Sequence, residues 1–178
     1  QHLACLLSRI EDASRVEAQR IGLSATLADG PATWRRFLGR ASGPIACVEA
    51  EHTPRERALA LDLPPTDDAC HDALAASIGG RRALVFCNSR AAVEETTRAL
   101  ADRGVPALAH HGRLSASVRE AAESAMRTEP ALALVATSTM ELGVDIGGLD
   151  AVAQLGAPPS VAAFTQRIGR AARRAGRT

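Results

Sequence analysis

The chain contains no lysine and no tyrosine: all 21 basic residues are arginine, and one Trp and three Phe are its only aromatic side chains. Without lysine there is no GKT or GKS phosphate-binding loop, because the lysine of that loop is what reaches the terminal phosphates. No DExH or DEAD run of magnesium-holding acids is present either. The scarcity of rings leaves few platforms for base stacking, so backbone contacts are the expected grip on a nucleic acid. The four cysteines, Cys5, Cys47, Cys70 and Cys87, have no CxxC spacing and no His at metal-ligand distance along the chain. Reduced, mostly buried thiols and no metal are therefore expected. No GxGxxG turn occurs, which argues against an ordinary doubly wound dinucleotide or small-molecule domain. No signal peptide is visible, and no apolar run reaches the roughly 20 residues of a membrane helix. A soluble cytoplasmic protein with no membrane partner is the expectation.

What is present is enough apolar residue, 46% of 178, for one α/β domain and a piece of another. The net charge of +1 hides an asymmetry. Residues 1–163 carry 16 Arg against 20 acidic residues, whereas residues 164–178 carry five Arg and no acid. An anionic partner is expected at that tail.

Along the chain, Gln1 to about Ala18 reads as an amphipathic helix, and Arg20–Leu23 as a short strand running into Ser24-Ala25-Thr26. A helix through Trp34, Phe37 and Leu38 and a strand over Ile45–Val48 follow. Glu49–Pro65 is charged and Pro-punctuated, and reads as a linker. From Thr66 the pattern is regular. A helix over Asp67–Ile78 stops at Gly79-Gly80 and precedes the strand Ala83–Cys87. Ser89 is placed to cap a helix from about Ala91 to Arg103, ended by Gly104. The strand Val105–Ala109 delivers His110-His111-Gly112, and a helix capped at Ser115 covers about Val118–Arg127. The strands Leu132–Ala136 and Ala151–Leu155 complete the series. Strand–helix alternation with short connections requires parallel strands and right-handed crossovers. The fold class is α/β, and the hydroxyls, amides, imidazoles and Arg residues at the strand ends fall on one edge of one sheet.

The stretch Ala131–Thr178 concentrates the chemistry. A buried strand spills into Thr137, Ser138 and Thr139 and then a Gly143-Val144-Asp145 turn, the kind of place where open α/β sheets bind ligands. After Pro158-Pro159, Ser160 caps a helix candidate running through the tail. On it Gln166, Arg170 and Arg173 share a face, aiming two guanidinium groups at one anion. Arg167 and Arg174 form a neighbouring basic face. The plainer reading of each feature is a solvated Arg face, an ordinary helix cap, or His110 and His111 as strand-end residues.

Five segments in order carry a family resemblance: LSAT (Leu23–Thr26), LVFCNSR (Leu84–Arg90), HHGRLSASVRE (His110–Glu120), ATSTMELGVDIG (Ala136–Gly147) and QRIGRAARR (Gln166–Arg174). They resemble motifs III, IV, the segment after IV, V and VI of superfamily 2 helicases, and are most similar to the large helicase-related (Lhr-type) DNA helicases. The resemblance implies a RecA-like parallel sheet with helices on both faces. Residues 1–50 would be the tail of a first RecA-like lobe, 51–65 a linker and 66–178 the second lobe. It further implies that Arg170 is an arginine finger on ATP, that Arg173 assists and that Gln166 aligns the helix face. Gly143 and Asp145 would lie near the nucleotide ribose. Asn88, Ser89, Arg90, His111, Gly112, Thr137 and Ser138 would touch a nucleic-acid strand, single-stranded or partly duplex DNA, and Ser24, Ala25 and Thr26 would couple ATP to strand movement. Ala172 stands where the family usually has Gly. ATP with Mg²⁺ would be held mainly by the first lobe, which is missing here, so the chain alone is expected to be inactive as a helicase. The resemblance also implies a role in DNA repair. The rival reading is a non-catalytic nucleic-acid-binding module derived from such a lobe.

Overall fold

A computed structural model of the chain describes residues 2–16, 19–23, 46, 48, 58–141 and 146–171. The chain divides into two compact units, Gln1–Pro54 and Arg55–Thr178.

In the first unit, helix α1 spans His2–Ser14. Arg20 folds back onto it and grips Glu11 with both arms of its fork, Nη2 to Oε2 at 2.8 Å and Nε to Oε1 at 3.2 Å. That two-point geometry keeps a carboxylate satisfied although Glu11 is buried. The strand expected at Arg20–Leu23 is not formed: these residues have no regular structure, and Ile21 and Leu23 are exposed. A strand needs a neighbour for its backbone N–H and C=O groups, and none pairs with it among the described residues. Ala46 and Val48 likewise belong to no strand. Ser24, Ala25, Thr26, Trp34 and Phe37 lie outside the described residues.

The second unit holds a four-stranded sheet of β1 (Arg82–Phe86), β2 (Ala107–His110), β3 (Leu132–Ala136) and β4 (Ala151–Gln154), in the order β2-β3-β1-β4. Every pairing is parallel. Helices α2 (Asp67–Ile78), α3 (Arg90–Asp102), α4 (Ala116–Thr128) and α5 (Val161–Ile168) start at Thr66, Ser89, Ser115 and Ser160. Each of those hydroxyls accepts the backbone N–H three residues on, the bond that removes an orphan donor at a helix start. Gly104, at φ +76°, supplies the left-handed residue after α3.

The central strands β1 and β3 are buried throughout because helices or loops cover both faces. Ala83 and Val85 of β1, and Cys87 just after it, point to one side, packing with Leu74 and Ile78 of α2 and Val93 and Leu100 of α3. Leu84 and Phe86 point to the other, against Ala122 and Met126 of α4 and against Met140, Ile146 and Leu149. The segment leaving β1 therefore crosses one face and the segment leaving β3 the other. Between these adjacent strands lies the point of reversal at which open α/β sheets form a ligand crevice.

At the amino edge, Arg82 is buried and donates from Nη2 to the carbonyls of Met126, in the last turn of α4, and Ile146, the latter at 2.9 Å. A cation at a helix carboxyl end is favourably placed. Gly147 completes this arrangement, since it holds φ +76° and a Cβ there would stand 2.9 Å from Arg82 Nη2. We expect Gly147→Ala to cost about 1–3 kcal/mol, because backbone strain and displacement of the guanidinium add. Chemical denaturation of the purified variant checks this; an unshifted midpoint would show that the loop adapts freely.

Candidate nucleotide and nucleic-acid interface

The strands end level with one another. Phe86 pairs with Ala136 and Gln154, and Ala136 pairs with His110. The residues that follow each strand are thereby brought to one edge: Asn88, Ser89 and Arg90 after β1, His111 and Gly112 after β2, Thr137 and Ser138 after β3. Ser89 caps α3, so the first N–H groups of that helix face the same edge, an arrangement that suits phosphate oxygens. Asn88 is exposed, and one of its amide N–H groups is spent on Ala157 O at 2.7 Å, which ties the β1 loop to the segment after β4. Gly112 is exposed, with open space where a side chain would go. Arg90 is exposed at the first turn of α3.

Thr137 begins a single 3₁₀ turn, Ser138–Met140, and its hydroxyl makes no capping bond to that turn. Ser138 is exposed while Met140 is in the core, so the turn is anchored on one side and presents hydroxyls on the other. Beneath it, His110 is buried with Nδ1 2.9 Å from Thr139 Oγ1 and Nε2 3.0 Å from Glu123 Oε1 of α4. His111 is buried too, its Nε2 2.6 Å from Glu94 Oε1 of α3. Its ring is thus committed to holding the loop, and a contact with a ligand from this position would come through the backbone.

The tail helix is shorter than expected. It ends at Ile168, and Arg170 N and Ala171 N bond to the carbonyls three residues back, Arg167 and Ile168, at 3.0 and 3.1 Å. Gly169 weakens the helix and the last turn tightens, so Gln166 and Arg170 do not sit one regular α-turn apart. Arg170 nevertheless reaches the β3 loop: its Nη2 donates to Glu141 O at 2.6 Å, directly after the Thr137–Met140 turn. Gln166 is half-buried on α5. Arg173, Arg174, Gly143 and Asp145 lie outside the described residues.

Arg167 is not part of an exposed basic face. It is 2% exposed, with Nε and Nη2 on Glu141 Oε1 at 2.9 and 2.5 Å and Nη1 on Gln154 Oε1 at 2.5 Å. Its guanidinium lies 4.8 Å from the centre of the Phe86 ring. Sequence reasoning missed Arg167 and Glu141, although one signal was there: Arg167 is four residues after Ala163, the other buried residue of α5, on the helix face that meets the core.

The donor set fits one side of a triphosphate and not all of it. A guanidinium beside hydroxyls and helix N–H groups suits phosphate oxygens, but the chain has no lysine for the terminal phosphates. Among the described residues no group of three or more His, Cys, Asp or Glu could hold a metal ion, and no helix is long and apolar enough to cross a membrane. Burial pushes the Cys87 thiol up, against smaller opposing effects of Thr96 and Arg167, so it stays protonated in the core.

A parallel sheet of this order, covered on both faces and lacking its own phosphate-binding loop, with an arginine-bearing helix returning to the β3 loop, defines the second RecA-like lobe of a superfamily 2 helicase. The family model of the helicase conserved C-terminal domain matches residues 67–175, and the chain belongs to that family. It is 31% identical, over 98% of its length, to the Lhr helicase and probable uracil glycosylase of Mycolicibacterium smegmatis, of which it covers 14%. It is 30% identical, over 95% of its length, to the ATP-dependent helicase Lhr-Core of Methanothermobacter thermautotrophicus, of which it covers 22%. The solved structure of Mycobacterium smegmatis helicase Lhr bound to ssDNA and AMP-PNP superposes with a TM-score of 0.76 and 35% identity, over 96% of this chain and 24% of that one. The chain thus spans a quarter or less of the length of these relatives.

Proposed function

We propose that the chain is the second RecA-like lobe, with the end of the first, of an ATP-dependent helicase or translocase acting on single-stranded or partly duplex DNA. The boundaries that go with this are residues 1–50 for the first-lobe segment, 51–65 for the linker and 66–178 for the second lobe. The observation that carries the reading is Arg170 held at Glu141 O, one turn from the Thr137 and Ser138 hydroxyls, at the carboxyl edge of the sheet. A cation and a row of donors meeting there can serve a nucleotide on one side and a strand backbone on the other. Arg170 acts as the finger that neutralises charge on the transferring phosphoryl group, Arg173 assists it, and Gln166 on α5 helps align them. Gly143 and Asp145 border the ribose. Asn88, Ser89, Arg90, the backbone at His111 and Gly112, Thr137 and Ser138 contact phosphates and sugars, which positions any sequence without reading it. Ser24, Ala25 and Thr26 couple the two sites.

When bound, ATP with Mg²⁺ supplies the phosphoryl group, and its lysine and acidic ligands come from a P-loop lobe. The likeness to an Lhr helicase and probable uracil glycosylase, and to an Lhr helicase bound to ssDNA, supports DNA as the partner and is consistent with a repair role; the cytoplasm is the setting proposed with it.

The test is complementation. The purified 178-residue chain is expected to show no ATP turnover, and the same chain extended by a RecA-like lobe bearing GKT and DExH sequences to show turnover stimulated by single-stranded DNA. Arg170-dependent turnover by the short chain alone would defeat the reading. Salt-sensitive strand binding with no nucleotide dependence, even beside the added lobe, would favour a non-catalytic binding module instead.

A further inference from the structure

We propose that Glu141 is a positioning residue that joins the nucleotide side of the lobe to the strand side, an inference that rests on the helicase reading above. Glu141 is engaged at three points. Its backbone N–H donates to Ser138 O at 3.0 Å and closes the hydroxyl-bearing turn. Its backbone carbonyl, at the other end of the same residue, accepts Nη2 of Arg170 at 2.6 Å. Its carboxylate accepts Nε and Nη2 of Arg167 at 2.9 and 2.5 Å. Among the described residues, a bonded route from the cation facing phosphate to the turn facing the strand passes through Glu141.

The third engagement decides what that route can transmit. Arg167 is fixed independently of Glu141, by Gln154 Oε1 at the end of β4 and by the Phe86 ring at the end of β1. The carboxylate side chain is 15% exposed and the guanidinium side chain 3%, so water competes weakly for this pair. Glu141 is consequently held to α5 and to the two strand ends as one body. A shift of Arg170 toward a phosphate moves or releases the carbonyl of Glu141 while its side chain stays anchored. That carbonyl lies in the peptide unit after Glu141 and the N–H in the one before it, so with the side chain pinned the backbone pivots about the Cα–Cβ bond and the N–H turns against Ser138 O, in the turn where Thr137 and Ser138 meet the strand. With the carboxylate unanchored, the turn would relax locally and the strand side would not register the nucleotide.

Two variants of the full-length helicase that carries this lobe test the idea: Glu141→Gln, which keeps the shape, and Glu141→Leu/Arg167→Met, which replaces the ion pair by apolar groups of similar volume and so preserves the fold. The readout is the ratio of single-stranded DNA dissociation constants with and without AMP-PNP, with melting temperature as the control for folding. The wild-type ratio is expected to differ from one by at least about fivefold, the low end for two coupled sites. In both variants it should collapse toward one, with DNA affinity in the absence of nucleotide unchanged. Variants that melt like the wild type and keep its ratio would overturn the role of Glu141 alone. A wild-type ratio of one would overturn the helicase reading, and this inference with it.

Discussion

Arg170→Ala, in a chain that carries both lobes, is expected to lower kcat for ATP hydrolysis by about 10³–10⁵-fold, the range for removing an arginine finger in phosphoryl transfer. Phosphoryl transfer asks little covalent chemistry of a protein; positioning and neutralisation of charge on the equatorial oxygens dominate. A guanidinium is suited to this because it stays charged and presents a planar fork of donors. Arg170 is half-buried, and one arm rests on a backbone carbonyl. Exchanging that neutral acceptor for an anionic phosphate oxygen turns a charge–dipole contact into an ion pair, which favours the shift. KM for ATP should change far less than kcat, because the finger acts mainly as charge develops. Steady-state hydrolysis at saturating single-stranded DNA checks this. A loss confined to KM would make Arg170 a ground-state binding residue, and no loss at all would remove it from the nucleotide site.

The core of the second unit was legible in the sequence because its signals are local. Apolar runs with β-branched residues mark β1 and β3, hydroxyls at Thr66, Ser89, Ser115 and Ser160 mark helix starts, and Gly104 marks a stop. The strand bounds moved by a residue or two at β1, β2 and β4, where hydrogen bonding to a neighbour and not composition sets the limit. The first unit was less legible. The strand read at Arg20–Leu23 rested on Ile21 and Leu23 alone, and no partner among the described residues satisfies its backbone.

At the site, the gathering of Asn88, Ser89, Gly112, Thr137 and Ser138 at one edge follows from parallel topology and needed no knowledge of side-chain contacts. What could not be read was which charges face inward. Arg167 and Arg170 look alike in the sequence, and only the packing of α5 on β1 and β4 sends the first into the core and the second to the β3 loop. The same holds for His110 and His111, whose carboxylate partners Glu123 and Glu94 lie on separate helices and on no common periodicity.

That division of labour between the two arginines predicts opposite mutational profiles. Arg167→Ala should destabilise the second unit by about 3–5 kcal/mol, since removing one partner of a buried ion pair strands the other charge. The Glu141 carboxylate would lose both its donors from Arg167, Gln154 Oε1 would lose an N–H, and the face of Phe86 would open onto a cavity. Against a total stability of roughly 5–15 kcal/mol such a loss is large, and a melting midpoint lower by about 10 °C or more should be seen by circular dichroism. Arg170→Ala, by contrast, acts on a half-buried guanidinium whose described hydrogen bond goes to a backbone carbonyl and not to a buried carboxylate, and should cost clearly less, about 1–2 kcal/mol. Arg167→Lys separates charge from geometry: it keeps the cation but replaces a fork serving Glu141 and Gln154 together with a single ammonium, and its midpoint should fall between the other two. Equal midpoints for Arg167→Ala and Arg170→Ala would mean that Arg167 is solvated in solution, and the anchoring of the β3 loop would then have to be sought elsewhere.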